Sequence, residues 1–118
     1  MKKCGFFRMV ADEHGQPTPT YTEGFSDTFN DEAGNEMIFC FHSNEYAKNK
    51  KTWTVTEKST GLLICQGLPT RQAAADELTS KYINRIFPLL QNKNYDEYKR
   101  RIAVAYDDKK FNAGEVVL

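Results

Sequence analysis

Residues 53–92, WTVTEKSTGLLICQGLPTRQAAADELTSKYINRIFPLLQN, read as a strand, a tight turn, a second strand and a long amphipathic helix. Trp53 and Val55 fall on one side of an extended chain, and Thr52, Thr54 and Thr56 on the other. That period of two marks a half-buried strand. Ser59-Thr60-Gly61 supplies the turn, because glycine takes the positive φ a hairpin reversal requires. The return strand covers 62–66, stopped by Gly67 and Pro69. Thr70 then occupies an N-cap position, where its hydroxyl accepts a bond from an orphan backbone N–H.

At roughly 100° per residue, Ala74, Ala75, Leu78, Tyr82, Ile83, Ile86, Phe87 and Leu90 share one broad side of the helix. Glu77, Ser80, Lys81, Asn84, Pro88 and Gln91 share the other. Pro88 lies on the polar side, where water can satisfy the carbonyl it orphans, so a kink is expected there. Trp53, Leu62, Ile64, Leu78, Tyr82 and Ile86 are the expected core. A second helix starts near Asn94, with Glu97 completing a capping box. Tyr95, Tyr98, Ile102, Ala105 and Tyr106 form its stripe, and Asp96–Arg100 and Glu97–Arg101 are favourable pairs. It is expected on the remaining flank of the first helix, with an apolar tail, FNAGEVVL, docked or frayed beyond it.

Upstream, a first strand is expected over 6–10 and a turn at Asp12-Glu13-His14-Gly15. Residues 18–23 alternate as an edge strand, where proline is tolerated; Ser26 could alternatively cap a helical turn through Phe29. EMIFCFH at 36–42 is a strand with Met37, Phe39 and Phe41 on one face and Ile38, Cys40 and His42 on the other. SNEYAKNKK follows as a solvated connection. The fold class is therefore α+β in one domain spanning 1–118. An antiparallel sheet of four or five strands packs against the long helix and the second amphipathic helix.

Length and composition suit a soluble globular chain of 118 residues, with sixteen basic residues balancing sixteen acidic ones. No overall field therefore selects nucleic acid or an anionic membrane. No apolar run approaches the roughly 20 residues of a membrane span, and the apolar stretch within MKKCGFFRMV is shorter than a signal peptide is expected to have. Three cysteines, an odd count with two in expected strands, suit a reducing cytoplasmic setting.

A zinc site needs four ligands, usually in close pairs, and Cys4, His14, Cys40, His42 and Cys65 contain no CxxC spacing. A nucleophilic cysteine needs an accessible thiolate, whereas these cysteines sit among Phe, Ile and Leu. Asp27, Asp31, Glu32 and Glu36 lack the alternation and central glycine of a calcium loop. No glycine motif cradles phosphate. Neither catalytic residue, metal nor cofactor is therefore expected. Lys48, Lys50 and Lys51 crowd the approach to Trp53, Arg71 opens the helix against its dipole, and Tyr46 is near. The two ends of an antiparallel hairpin lie side by side, so these five residues make a candidate partner-binding edge. The same lysines would also protect a bare sheet edge from pairing. The aromatic residues of 21–29 offer the next candidate surface.

The pattern W-x-V-T-E-x-S-T-G-L-x-I-x-x-G-x-P-T-R-x-x-A over 53–74 resembles a strand–hairpin–helix unit of small accessory proteins from phages and bacterial mobile elements. The likeness extends to Leu78 through turn, cap and core positions. It implies a small accessory protein that binds host machinery. With balanced charge, aromatic residues in polar segments and no catalytic set, the chain reads as a non-enzymatic protein-binding module, such as an inhibitor of a bacterial defence nuclease of the CRISPR-effector kind. A nucleic-acid-binding accessory protein using the lysine loop is the first alternative. A small cysteine- or metal-dependent enzyme is the second.

Overall fold

The computed structural model describes residues 1–46 and 50–112, with the side chains of 44–46, 50 and 110–112 left outside the description. Five strands, β1 (Lys2–Ala11), β2 (Pro17–Asn30), β3 (Glu36–Tyr46), β4 (Lys50–Glu57) and β5 (Leu63–Leu68), form one antiparallel sheet in sequence order. The helices are α1 (Arg71–Glu77), α2 (Ile83–Leu90) and α3 (Asp96–Asn112). This is the expected α+β class. Among the described residues, no helix is long and apolar enough to cross a membrane.

Residues 17–30, the ambiguous stretch, are strand throughout, with no helical turn at Ser26. β1 pairs with the first ten residues of β2, from Ala11↔Pro17 to Lys2↔Ser26, and β3 meets β2 only from Phe25 on. Pro17 and Pro19 thus lie where β2 has a neighbour on one side, so neither interrupts a two-sided ladder. SNEYAKNKK is largely strand too: β3 runs to Tyr46 and β4 begins at Lys50.

Both faces of β3 and β4 are buried, which alternation alone does not reveal. Met37, Phe39, Phe41 and Val55 face the helices. On the opposite side the cross-strand pairs Cys40↔Thr56 and His42↔Thr54 are equally enclosed. β1 closes over them. Phe6 packs on His42 with ring centroids 5.7 Å apart, and Met9 N donates to Gly61 O at 2.8 Å in the β4–β5 turn. The first strand thus reaches a turn near the far end of the strand order, and the sheet is rolled. Gly24 lies where β2 crosses β3: a Cβ there would sit 2.2 Å from Phe41 O.

The β4–β5 turn is held by Glu57, only 2% exposed. Its Oε2 accepts from Ser59 N (2.8 Å), and its Oε1 from Ser59 Oγ (2.7 Å), Thr60 N (3.0 Å) and Thr60 Oγ1 (2.8 Å). Gly61 follows at φ +70°. The return strand starts one residue late and absorbs Gly67, ending before Pro69. The acidic 31–35 turn is also built rather than merely solvated: Asp31 is buried, and Asn35 N donates to its Oδ1 at 2.8 Å.

Thr70 caps α1 as expected, its Oγ1 accepting from Ala73 N at 3.0 Å. α1, a π-helical segment (Leu78–Tyr82) and α2 run without a break, so the helix spans residues 71–90. The sequence places an irregularity at Pro88; the π turn lies upstream of it, and α2 ends two residues past the proline. All eight residues of the apolar face lie in the core or against it. Trp53, Ile64, Leu78, Tyr82 and Ile86 meet there, but Leu62, in the turn connection, lies outside that cluster.

The second helix departs from expectation at its start and in its docking. Asn92, not Asn94, is the cap, its Oδ1 accepting from Asn94 N ahead of a 3-10 turn (Lys93–Tyr95). Glu97 pairs with Arg100 instead of reaching back. α3 docks on β1 and β2 rather than chiefly on the flank of the long helix. Tyr106 Oη accepts from Phe7 N at 3.2 Å, and its ring meets Phe7 edge-on at 5.0 Å. Residues 113–118, most of the expected apolar tail, lie outside the described residues.

Candidate partner-binding site

The upper end of the helix-covered face carries Trp53, opposite Ser43 on β3 and Leu68 on β5. One rung below, Phe25 pairs with Phe41 and Phe41 with Val55, so Phe25 joins the same face. The Phe25 and Trp53 rings sit 6.1 Å apart, tilted by 46°. Arg71, the first residue of α1, lays its guanidinium over this pair, with Cζ 4.3 Å from the Phe25 centroid and 5.9 Å from that of Trp53. Lys51 Nζ stands 5.7 Å from the Trp53 centroid. Each contact is a cation–π arrangement, attracted by the negative face of the ring.

Of the five residues expected at this edge, Lys51 and Arg71 therefore share one aromatic ring. Tyr46 and Lys50 are Cα partners at the end of the β3–β4 ladder, one residue beyond Lys51. Their side chains and the whole of Lys48 lie outside the described residues. Among the described residues, neither Lys51 nor Arg71 has a carboxylate within ion-pair distance. Glu45 stands opposite Lys51 in the register.

Phe25, which sequence reasoning assigned to a separate aromatic surface over 21–29, is the participant it did not place at this edge. The available signal was the alternation Tyr21, Glu23, Phe25, Asp27, Phe29, legible only once the whole stretch is known to be strand. The structure divides its aromatic residues three ways. Tyr21, 41% exposed, covers Gly5 and lies 3.9 Å beneath Lys109 Nζ; Phe25 joins the cation cluster; Phe29 packs on Phe39 and Phe41.

All three cysteines are free thiols. Burial, with Cys4 beside it, pushes the Cys40 thiol up to about 12; burial, then Glu77, pushes Cys65 up to about 11. Both are neutral near pH 7, the opposite of an activated nucleophile. Among the described residues no three His, Cys, Asp or Glu side chains converge as a metal-ligand set.

A groove of about 560 Å³ opens at the other end of the helix-covered face, between β3, α2 and α3. Met37, Ile38, Phe87, Leu90, Ile102, Ala103 and Tyr106 make its apolar walls.

Comparison of the chain with protein-family models, with curated proteins and with solved structures returns no match.

Proposed function

We propose that this protein is a non-enzymatic binding module whose contact surface is the edge formed by Phe25, Lys51, Trp53 and Arg71, with Tyr46 and Lys50 the next Cα pair along the ladder. Its partner is an acidic protein surface. The observation that supports this reading is the placement of two cations without carboxylate partners, among the described residues, on one pair of aromatic rings. Trp and Arg are the side chains most enriched where binding energy concentrates. Arg71 combines a planar, weakly hydrated cation with a stacking platform, and its fork geometry matches a carboxylate. A defence nuclease is the kind of host protein that the resemblance to phage accessory proteins adds to this proposal.

The test is capture of partners from nuclease-treated bacterial lysate by the wild type and by a Lys51→Glu, Arg71→Glu variant, with melting temperatures measured in parallel. A protein retained by the wild type and lost by the variant, at similar melting temperature, supports the module and its site. Retention by both proteins sinks the site. Binding that vanishes with nuclease treatment and falls log-linearly with salt replaces the protein partner with nucleic acid.

A further inference from the structure

We infer that the groove between α2 and α3 binds a small apolar organic anion, a carboxylate on a hydrocarbon or aromatic body, with the carboxylate seated at Lys58. The groove exists because α3 is drawn away from the long helix onto β1 and β2 by Ile102 and Tyr106, which leaves the end of α2 uncovered. Only Lys99 bridges the gap among the described hydrogen bonds, its Nζ donating to Leu90 O at 2.5 Å. At about 560 Å³ the space falls within the range that holds small ligands, roughly 300–1,000 Å³. Its walls are mainly carbon.

The polar groups set the sign of the ligand. Lys58 is fixed at the wall through its backbone, whose N–H donates to Ile38 O at 3.0 Å. Its Nζ stands 5.6 Å from the Tyr106 centroid and, among the described residues, has no carboxylate within ion-pair distance. Lys99 spends one of three donors on Leu90 O and keeps two. Of the two acids that line the groove, Glu57 has both oxygens engaged by Ser59 and Thr60, and Glu36 is exposed at the mouth. Lys58 and Lys99 thus keep donors to offer at the groove, while the Glu57 oxygens, though still charged, have their acceptor sites filled. An apolar anion matches that arrangement; an amine or a neutral alkane leaves the ammonium groups unmatched.

Titration of the full chain with octanoate, 1-octanol and octylamine, followed by calorimetry and backbone amide shifts, tests this. Octanoate is expected to saturate with a dissociation constant of roughly 1 mM or tighter. Shifts should be confined to residues 36–38, 57–59, 87–91 and 99–106. It should bind at least about fivefold more tightly than octanol, since the anion adds a charge-assisted contact. Lys58→Gln should bring octanoate down to the level of octanol, and Lys58→Arg should retain the difference. Ala103→Trp, at an exposed helix position lining the groove, should block binding while leaving the fold intact. Equal binding of octanoate and octanol, shifts elsewhere, unaltered binding by Ala103→Trp, or no saturation by several millimolar would each overturn the inference. None of these outcomes bears on the Trp53 edge, which lies at the opposite end of the sheet.

Discussion

Met9 N and Gly61 O are joined by a 2.8 Å hydrogen bond that ties β1 to the turn between β4 and β5. Because the two belong to distant places in the strand order, this bond marks the closure of the sheet over Cys40, His42, Thr54 and Thr56. Gly61 makes it possible by holding φ at +70°, with no room for a side chain: a Cβ would stand 2.9 Å from both Met9 N and Ile102 Cδ1. Gly61→Ala is therefore expected to cost about 1–3 kcal/mol through backbone strain and overpacking. Urea unfolding measures it, and a loss under about 0.5 kcal/mol would mean that the closure contributes little.

Leu78 is fully buried among Phe39, Phe41, Val55 and Ile86, at the start of the π segment. Leu78→Ala should cost about 2–5 kcal/mol by the same measurement. Thr79→Ala, one residue on and exposed, removes a methyl and a hydroxyl that donates to Ala75 O and Asp76 O, and should change stability by less than about 1 kcal/mol.

Hydrogen bonds from the Asn35 side chain and from backbone N–H groups hold the Asp31 carboxyl below the ordinary aspartate value. A carboxyl lowered in the folded state contributes stability that is complete above the unfolded value, near 3.8, and is lost as pH falls through the folded value. Melting temperature should therefore drop as pH falls below the unfolded value, near 3.8. The drop should be smaller in Asp31→Asn, which starts less stable at pH 7. Parallel curves for the two proteins would rule Asp31 out as a source of acid sensitivity.

Raised thiol values act in the opposite direction. Cys40 and Cys65, at about 12 and about 11, contribute stability that is complete below the ordinary thiol value and lost as pH climbs through the folded values. Iodoacetamide at pH 8 should leave Cys40 unmodified in the folded protein and label it in denaturant. Mass spectrometry of the labelled peptides reads this directly, and rapid native labelling of Cys40 would contradict its burial.

Arg71 separates stability from binding. Its stacking on Phe25 and Trp53 is worth about 0.5–1 kcal/mol at such a half-exposed site, so Arg71→Met should lower stability by no more than that. Partner binding, if this edge is the contact surface, should weaken at least tenfold in the same variant. A large loss of stability would instead make Arg71 a lid on the core.

The sequence by itself determined the elements: the alternation at Trp53–Thr56 and Met37–Phe41, the glycine at the hairpin, the Thr70 cap and all eight residues of the long helix's apolar face. Each rests on local geometry, since a period of 2 or 3.6 states which side chains share a side within one element. It also brought Lys51 and Arg71 together, because a hairpin returns the chain to its start. What covers each face was decided only by tertiary structure. Thr54 and Thr56 read as a solvated face yet are buried, because β1, more than forty residues away in sequence, rolls over them. Phe25 reached the cation cluster through its register against Phe41, and α3 left the long helix to dock on β1 through Tyr106 and Phe7; both are contacts between distant parts of the chain. The cap moved from Asn94 to Asn92 because a 3-10 turn precedes α3. Periodicity reports neighbours within an element; closure of a sheet is a sum of distant contacts, and no local pattern records it.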